Sequence, residues 1–202
     1  MRIMMIRHFQ TPGNLERRYI GRTDEPLLQN EALLQLVEEK RRLLGAKGVP
    51  QQVVASPMKR CIQTAAHLFP GKEPFLCEEL KECDFGLFEA KNYQELKDLS
   101  AYQKWLDSRG ELPFPEGEVH ENFKARCVRG FEKTMDELIR HGCELAAMVV
   151  HGGTIMAVLS RFDKEQREFY HWQVENGGGY LITLDEKDWE EGRKVFREIE
   201  RL

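Results

Sequence analysis

No stretch of this sequence approaches the run of about 20 apolar residues that a membrane-spanning helix needs, which excludes a helical membrane span. No secretory leader is expected either. Met1-Arg2-Ile3-Met4-Met5-Ile6-Arg7-His8 holds only four apolar residues between its arginines, and no small-residue cleavage site follows. The protein therefore reads as cytoplasmic. Cysteine is scarce. The five present (Cys61, Cys77, Cys83, Cys127, Cys143) form no C-x-x-C pair and are odd in number, which argues against a disulfide framework and a zinc site. Positive charge is not in surplus either: 30 Lys and Arg face 34 Asp and Glu, a net charge of −4, which argues against nucleic acid as a partner. An anionic ligand has to be attracted by a local cluster of Arg and His, not by the whole molecule. There is no internal repeat, low-complexity tract or evident linker, and 202 residues suffice for one domain with a proper core.

What is present is an alternation of short apolar runs with amphipathic stretches, the pattern of an α/β layer architecture. Residues 2–7 read as a strand buried on both faces, because Ile3 to Ile6 is continuously apolar. Leu33, Leu36, Val37 and Leu44 recur at helical spacing over residues 31–44. Gln52 to Ala55 is a second strand, and Ser56-Pro57 behind it has the form of a helix start, with Ser as cap and Pro in the first helical position. Phe75-Leu76 is a short strand. Residues 92–118, with Pro113, Pro115 and Gly117, read as an inserted cap, and a long helix follows over residues 119–141. Leu145 to Val150 is a third buried strand, leading through His151-Gly152-Gly153 into another helix. Gly177 to Asp185 and Val195 to Ile199 suit a pair of antiparallel edge strands. The expected fold is a three-layer α/β/α sandwich with a mostly parallel central sheet and an inserted helical cap segment, residues 1–202 forming a single domain.

In open α/β sheets, ligands bind beyond the carboxyl ends of the strands. Arg7-His8 ends the first strand, Arg60 follows the second, and His151 ends the third, so three segments bring two arginines and two histidines to one edge. Such convergent positive charge suits a dianionic phosphate. A guanidinium presents a planar fork matched to phosphate oxygens, Gly152-Gly153 lets the backbone approach, and the start of the next helix offers free N–H groups. A neutral imidazole whose second nitrogen is held by an acceptor can attack phosphorus. The leaving alkoxide then needs an acid, and a carboxyl with a raised pKa can supply it. Glu82, just ahead of Asp84-Phe85-Gly86, is the candidate. Taken singly, each signal is weak. Arg60 alone reads as a solvated helix face, His151 alone as a turn histidine, and Glu82 stands among Glu78, Glu79 and Lys81. His67, His120, His141 and His171 read as surface or core residues. The combination points to chemistry; the parts do not.

That combination resembles the histidine phosphatase superfamily, the phosphoglycerate mutase-like fold. Four blocks carry the resemblance in the family's order over nearly the whole chain: Arg7-His8, Ser56-Pro57-Met58-Lys59-Arg60-Cys61-Ile62-Gln63-Thr64-Ala65, Leu80-Lys81-Glu82-Cys83-Asp84-Phe85-Gly86 and His151-Gly152-Gly153. It implies a phosphoric monoester hydrolase in which His8 is the phosphorylated nucleophile and Glu82 the proton donor. Arg7, Arg60 and His151 would hold the phosphoryl oxygens. Asn14, six residues beyond His8, matches a phosphate-contacting position, Gly21 matches one in the following loop, and Gly152 joins them as substrate-binding. The resemblance implies neither metal nor cofactor, since the cationic pocket does the work of a metal ion. It implies a small phosphorylated metabolite as partner and leaves a homodimer open.

Two positions depart from the family's pattern. Phe9 stands where Gly is usual, and a Cβ there can hinder a backbone angle or a close approach. Phe88-Glu89-Ala90 replaces the more usual Trp-Glu-Gly. Within the family, phosphoglycerate mutases follow their acid with Arg-His-Tyr-Gly and carry extra arginines in the insert. Here Cys83-Asp84-Phe85-Gly86 follows Glu82, and Arg109 is the one arginine of residues 92–118, which favours a phosphatase. Ile20-Gly21-Arg22-Thr23-Asp24-Glu25-Pro26-Leu27 looks like the α-ribazole phosphatase branch, making α-ribazole 5′-phosphate, from cobalamin nucleotide-loop assembly, the first candidate substrate. Tyr93, Tyr102, Trp105 and Phe114 of the insert could stack on a flat base, or form the cap's own small core, which is the simpler reading. The competing functions are a phosphoglycerate mutase and a phosphate-ligand binding protein weakened in catalysis at Phe9.

Overall fold

The computed structural model describes residues 1–202 apart from Arg109 and Glu111, so the expectation attached to Arg109 lies outside the described residues. Six strands form one mixed sheet: β1 (Arg2–Arg7), β2 (Gln52–Ala55), β3 (Phe75–Leu76), β4 (Leu145–Val150), β5 (Gly179–Leu184) and β6 (Phe196–Arg201). Their order is β3-β2-β4-β1-β5-β6. The strands β1 to β4 are parallel, β5 is antiparallel to β1, and β6 is antiparallel to β5. The sheet is thus mostly parallel, as expected. The antiparallel pair, however, does not form two edge strands, because β5 lies inside the sheet against β1. Composition explains the difference. Tyr180, Leu181 and Ile182 of β5 are buried, whereas the charged β6 sequence Phe-Arg-Glu-Ile-Glu-Arg suits a solvent-facing edge.

Among the described residues the helices are α1 (Pro12–Leu15), α2 (Glu31–Gly45), α3 (Lys59–Leu68), α4 (Tyr93–Leu96), α5 (Ser100–Asp107), α6 (His120–Arg140), α7 (Gly152–Phe162) and α8 (Glu186–Glu190). Alternation along the strands divides the core in two. Ile3, Met5, Ala146 and Met148 pack with Phe131, Met135 and Leu138 of α6 and Ile155, Val158 and Leu159 of α7. Met4, Ile6, Ala147 and Val149 pack with Leu33, Val37 and Leu44 of α2 and Cys61, Ala65 and Leu68 of α3. Helices therefore cover both faces of the sheet, giving three layers.

Asn30 caps α2, its side chain accepting from the Leu33 N–H. The expected cap of α3 is different. The helix starts at Lys59 after Met58, with no side-chain cap, and the fully buried Ser56 hydroxyl pairs with His151 Nε2 at 2.7 Å. Residues 92–118 carry α4 and α5. Tyr102 is buried with Phe88 and Leu96, while Tyr19, Phe85, Trp105 and Phe114 pack at the margin of that cluster. The segment is clipped to the body where the Leu87 N–H donates to Pro115 O (2.8 Å) and the Glu118 N–H to Asp84 O (2.9 Å). Among the described residues, no helix is long and apolar enough to cross a membrane.

Candidate active site

Parallel pairing of β1 with β4 sets Arg7 opposite Val150, so His8 and His151 leave the sheet side by side. Their rings meet edge-on with centroids 5.2 Å apart. The His8 N–H donates to Val150 O at 2.9 Å, and its Nδ1 lies 2.7 Å from the Phe9 carbonyl. A carbonyl can only accept, so Nδ1 carries the proton and Nε2 keeps a lone pair. Burial, followed by the charge of Arg60, holds the pKa of His8 well below the ordinary imidazole value.

Arg60 is fully buried, not a solvated helix face. It donates through Nη1 to Thr23 O (2.7 Å), through Nη2 to Gly21 O (2.8 Å) and through Nε to His151 Nδ1 (3.3 Å). His151, also fully buried, therefore accepts at Nδ1 and donates from Nε2 to Ser56 Oγ. Its pKa, too, is held well below the ordinary value, by burial first and then by Arg60. Arg60 and His151 are buried next to His8; both ring nitrogens of His151 have protein partners, and each Arg60 nitrogen makes one such bond, which leaves an N–H on each Nη. Arg7 differs. Its Nη1 donates to Val174 O at 2.7 Å, but its Nε is buried without a partner among the described residues.

Glu82 follows a single helical turn at Glu78–Leu80. Its Oε1 accepts from the Cys83 N–H (3.0 Å) and its Oε2 from the Gly153 N–H in the first turn of α7 (3.1 Å). Burial raises its pKa against the pull of those two amides and of Arg60 and Arg7. Arg126 of α6 secures this loop by donating to the carbonyls of Glu79, Lys81 and Glu82.

Arg7, His8, Asn14, Glu82 and Gly152 share the wall of one cavity of about 500 Å³. Gly21 lies elsewhere, on a neighbouring cleft with Arg22 and Arg126 that touches Glu82 from its other side. Its N–H donates to Glu89 Oε1 at 2.8 Å, and a Cβ built on it would fall 1.8 Å from Cys83 O. Glycine is required there for the close approach of two loops.

The wall of the His8 cavity also carries Arg17, Arg18 and a set of aromatic rings, Tyr19, Trp105, Phe114, Phe123, Phe169 and Tyr170. Tyr102 belongs to the cap's own core, Tyr93 is exposed, and Trp105 and Phe114 serve both core and wall. His120, read from sequence as surface or core, also lines the cavity and packs edge-on against Phe169 at 4.9 Å. Gln173 and Asn176 lie in the wall near Arg7; nothing around them in the sequence marked them, because their segment lies about 165 residues from His8 and only β5 returns it.

The Phe9 side chain is fully buried in the core under α2 and α3 and takes no part in the cavity wall. Its backbone is not among the left-handed residues, and its N–H donates to Thr64 Oγ1 at 2.9 Å. The ring packs over Gly177 and does not crowd the substrate side.

Comparison with known proteins places this geometry among relatives. An adenosylcobalamin/α-ribazole phosphatase of Salmonella typhimurium is 26% identical over 193 residues, covering 92% of both chains. GpmB of an Enterobacter species, a phosphoglycerate mutase by name, is 27% identical over 163 residues, covering 74% of this chain and 73% of that protein. The crystal structure of a phosphoserine phosphatase from Entamoeba histolytica, bound to 3-phosphoglyceric acid, superposes with a TM-score of 0.74 at 23% identity, over 98% of this chain and 96% of that one. The pattern of the histidine phosphatase superfamily (branch 1) matches residues 3–194, and the chain belongs to that family.

Proposed function

We propose that this protein is a metal-independent phosphatase of small phosphate monoesters that works through a phosphohistidine on His8. The observation carrying this reading is the 2.7 Å bond from His8 Nδ1 to the Phe9 carbonyl, in a cavity shared with Glu82. It leaves Nε2 unprotonated, and burial keeps the ring neutral. In the first step the Nε2 lone pair forms the N–P bond while the ester P–O bond breaks, and Glu82 gives its proton to the departing oxygen. In the second, water attacks phosphorus, the Glu82 carboxylate takes a water proton and the N–P bond breaks, returning neutral His8 and orthophosphate. The raised pKa of Glu82 suits both roles. The Arg7 guanidinium, the Asn14 amide and the first turn of α7 supply donors to the phosphoryl oxygens. Arg60 and His151, buried next to His8, are the other residues to which the resemblance gives the phosphoryl oxygens, and Arg60 adds a fixed positive charge there.

The first candidate substrate is α-ribazole 5′-phosphate. The name of the Salmonella relative supports it, as do the aromatic walls that could receive a flat base. A phosphoglycerate mutase is the second reading, favoured by the name of the Enterobacter relative. Incubation with p-nitrophenyl phosphate in EDTA is expected to give turnover and an acid-labile phosphoprotein. Loss of turnover in EDTA would overturn the metal-free step, and undiminished labelling of His8→Ala the nucleophile. A panel of α-ribazole 5′-phosphate, sugar phosphates and primed 3-phosphoglycerate separates hydrolysis from isomerisation.

A further inference from the structure

Residues 174–178 brace the loop that carries His8, and the proposed chemistry gives them no role. Val174 O accepts from Arg7 Nη1 (2.7 Å), Gly178 O accepts from the Arg7 N–H (2.9 Å), and the Gly177 N–H lies 3.1 Å from Arg7 O and 3.3 Å from His8 O. Asn176 adds side-chain bonds. Its Nδ2 donates to His8 O at 3.0 Å and to Asn14 Oδ1 at 3.1 Å.

The orientation of both amides follows from their main-chain neighbours. The Thr11 N–H lies 3.3 Å from the same Asn14 atom, and a main-chain N–H can only donate, so that atom is the oxygen. His8 O can only accept, so the Asn176 atom facing it is the nitrogen. Asn14 Oδ1 thus receives two donors inside the protein. Asn14 Nδ2 is left without a protein partner among the described residues, on a side chain that lines the His8 cavity.

We infer that Asn176 is a positioning residue that locks Asn14 with its N–H donor turned toward the transferring phosphoryl group, while tying that lock to the carbonyl of the nucleophile itself. Without Asn176 the Asn14 oxygen keeps only the longer 3.3 Å bond from the Thr11 N–H, and the amide turns more readily to present an oxygen to an anion, which repels it. The inference rests on the reading of the His8 cavity as a phosphoryl-transfer site.

A double-mutant cycle over Asn14→Ala and Asn176→Ala tests it, read both as kcat/KM for p-nitrophenyl phosphate and as orthovanadate affinity by titration calorimetry. Each single variant is expected to lose about 10- to 100-fold, the scale of one hydrogen bond to a charged group. The double variant is expected to lose no more than about threefold beyond Asn14→Ala. Asn176→Leu, close in volume and without a donor, is expected to match Asn176→Ala and guards against a variant that merely folds poorly. A purely structural brace would give losses that multiply, and that result overturns the proposal. If the wild type binds vanadate but turns over no ester, the phosphatase reading fails while coupling in vanadate affinity still decides this one. If it binds no vanadate, both fall.

Discussion

His8 stays neutral at pH values where a free imidazole is half charged, and Glu82 keeps its proton where a free glutamate has lost it, both chiefly because burial disfavours charge. The two shifts move in opposite directions and widen the pH window in which a neutral nucleophile faces a protonated acid. Turnover is expected to fall on the acid side only below the ordinary imidazole range, as His8 gains a proton. On the alkaline side it falls above the ordinary carboxylate range, as Glu82 loses one. The same shift has a stability sign. A carboxyl whose folded pKa is raised contributes stability that is complete below the unfolded value and is lost as pH rises through the folded one. Glu82→Gln is therefore expected to lower kcat by about 10²- to 10⁴-fold, while its melting temperature gains on the wild type between pH 5 and pH 8. Parallel melting curves for both proteins at the two pH values check the sign; a gap that stays constant or widens against the variant contradicts it. At this scale the sequence was legible in residue type but not in direction. Arg7-His8, Glu82 and Asn14 meet at one cavity as their motifs suggested. Phe9 raised a concern only because a sequence does not say which way a side chain points, and its ring enters the core.

At the scale of elements, the first turn of α7 positions the Glu82 carboxyl. Gly153 donates its N–H to Glu82, and a Cβ on Gly153 would lie 2.3 Å from Glu82 Oε1. A Cβ on the neighbouring Gly152 would meet nothing nearer than Arg7 Nε at 3.4 Å, an ordinary contact. Gly153→Ala is thus expected to lower kcat about as far as Glu82→Gln does, whereas Gly152→Ala keeps activity within about tenfold. Steady-state kinetics on the pair checks this, and equal losses would contradict the geometry. Parallel strands and long helices were readable because periodicity and burial coincide in them, as in Ile3 to Ile6 and in α6. The inner place of β5 was not readable. Alternation identifies a strand, whereas its neighbour is chosen by contacts far along the chain. Ser56 misled for a similar reason, since a good cap residue was drawn instead to a buried imidazole.

For the molecule as a whole, the cavity is shared by the strand ends that carry His8 and by the cap, with Trp105 and Phe114 of the cap and Phe169 and Tyr170 all in its wall. If these rings hold the organic part of the substrate, Trp105→Ala should raise KM for aryl phosphates about tenfold, the scale of an aromatic contact. Little change is then expected for small aliphatic phosphates; comparable rises in both series would assign Trp105 to cap stability alone. The sheet order has a further consequence, one of timing. His8 follows β1, but β1 is flanked by β4 and β5, which begin at Leu145 and Gly179. The strand that leads to His8 gains its first neighbour only once β4 has been made, and Asn176 and then β5 follow later still. Contacts of such long sequence separation form slowly. Until then the apolar run Ile3 to Ile6 is an unpaired edge, the kind of segment that invites association between incomplete chains. The strand that brings the chemistry is thus the earliest made and among the last to be enclosed.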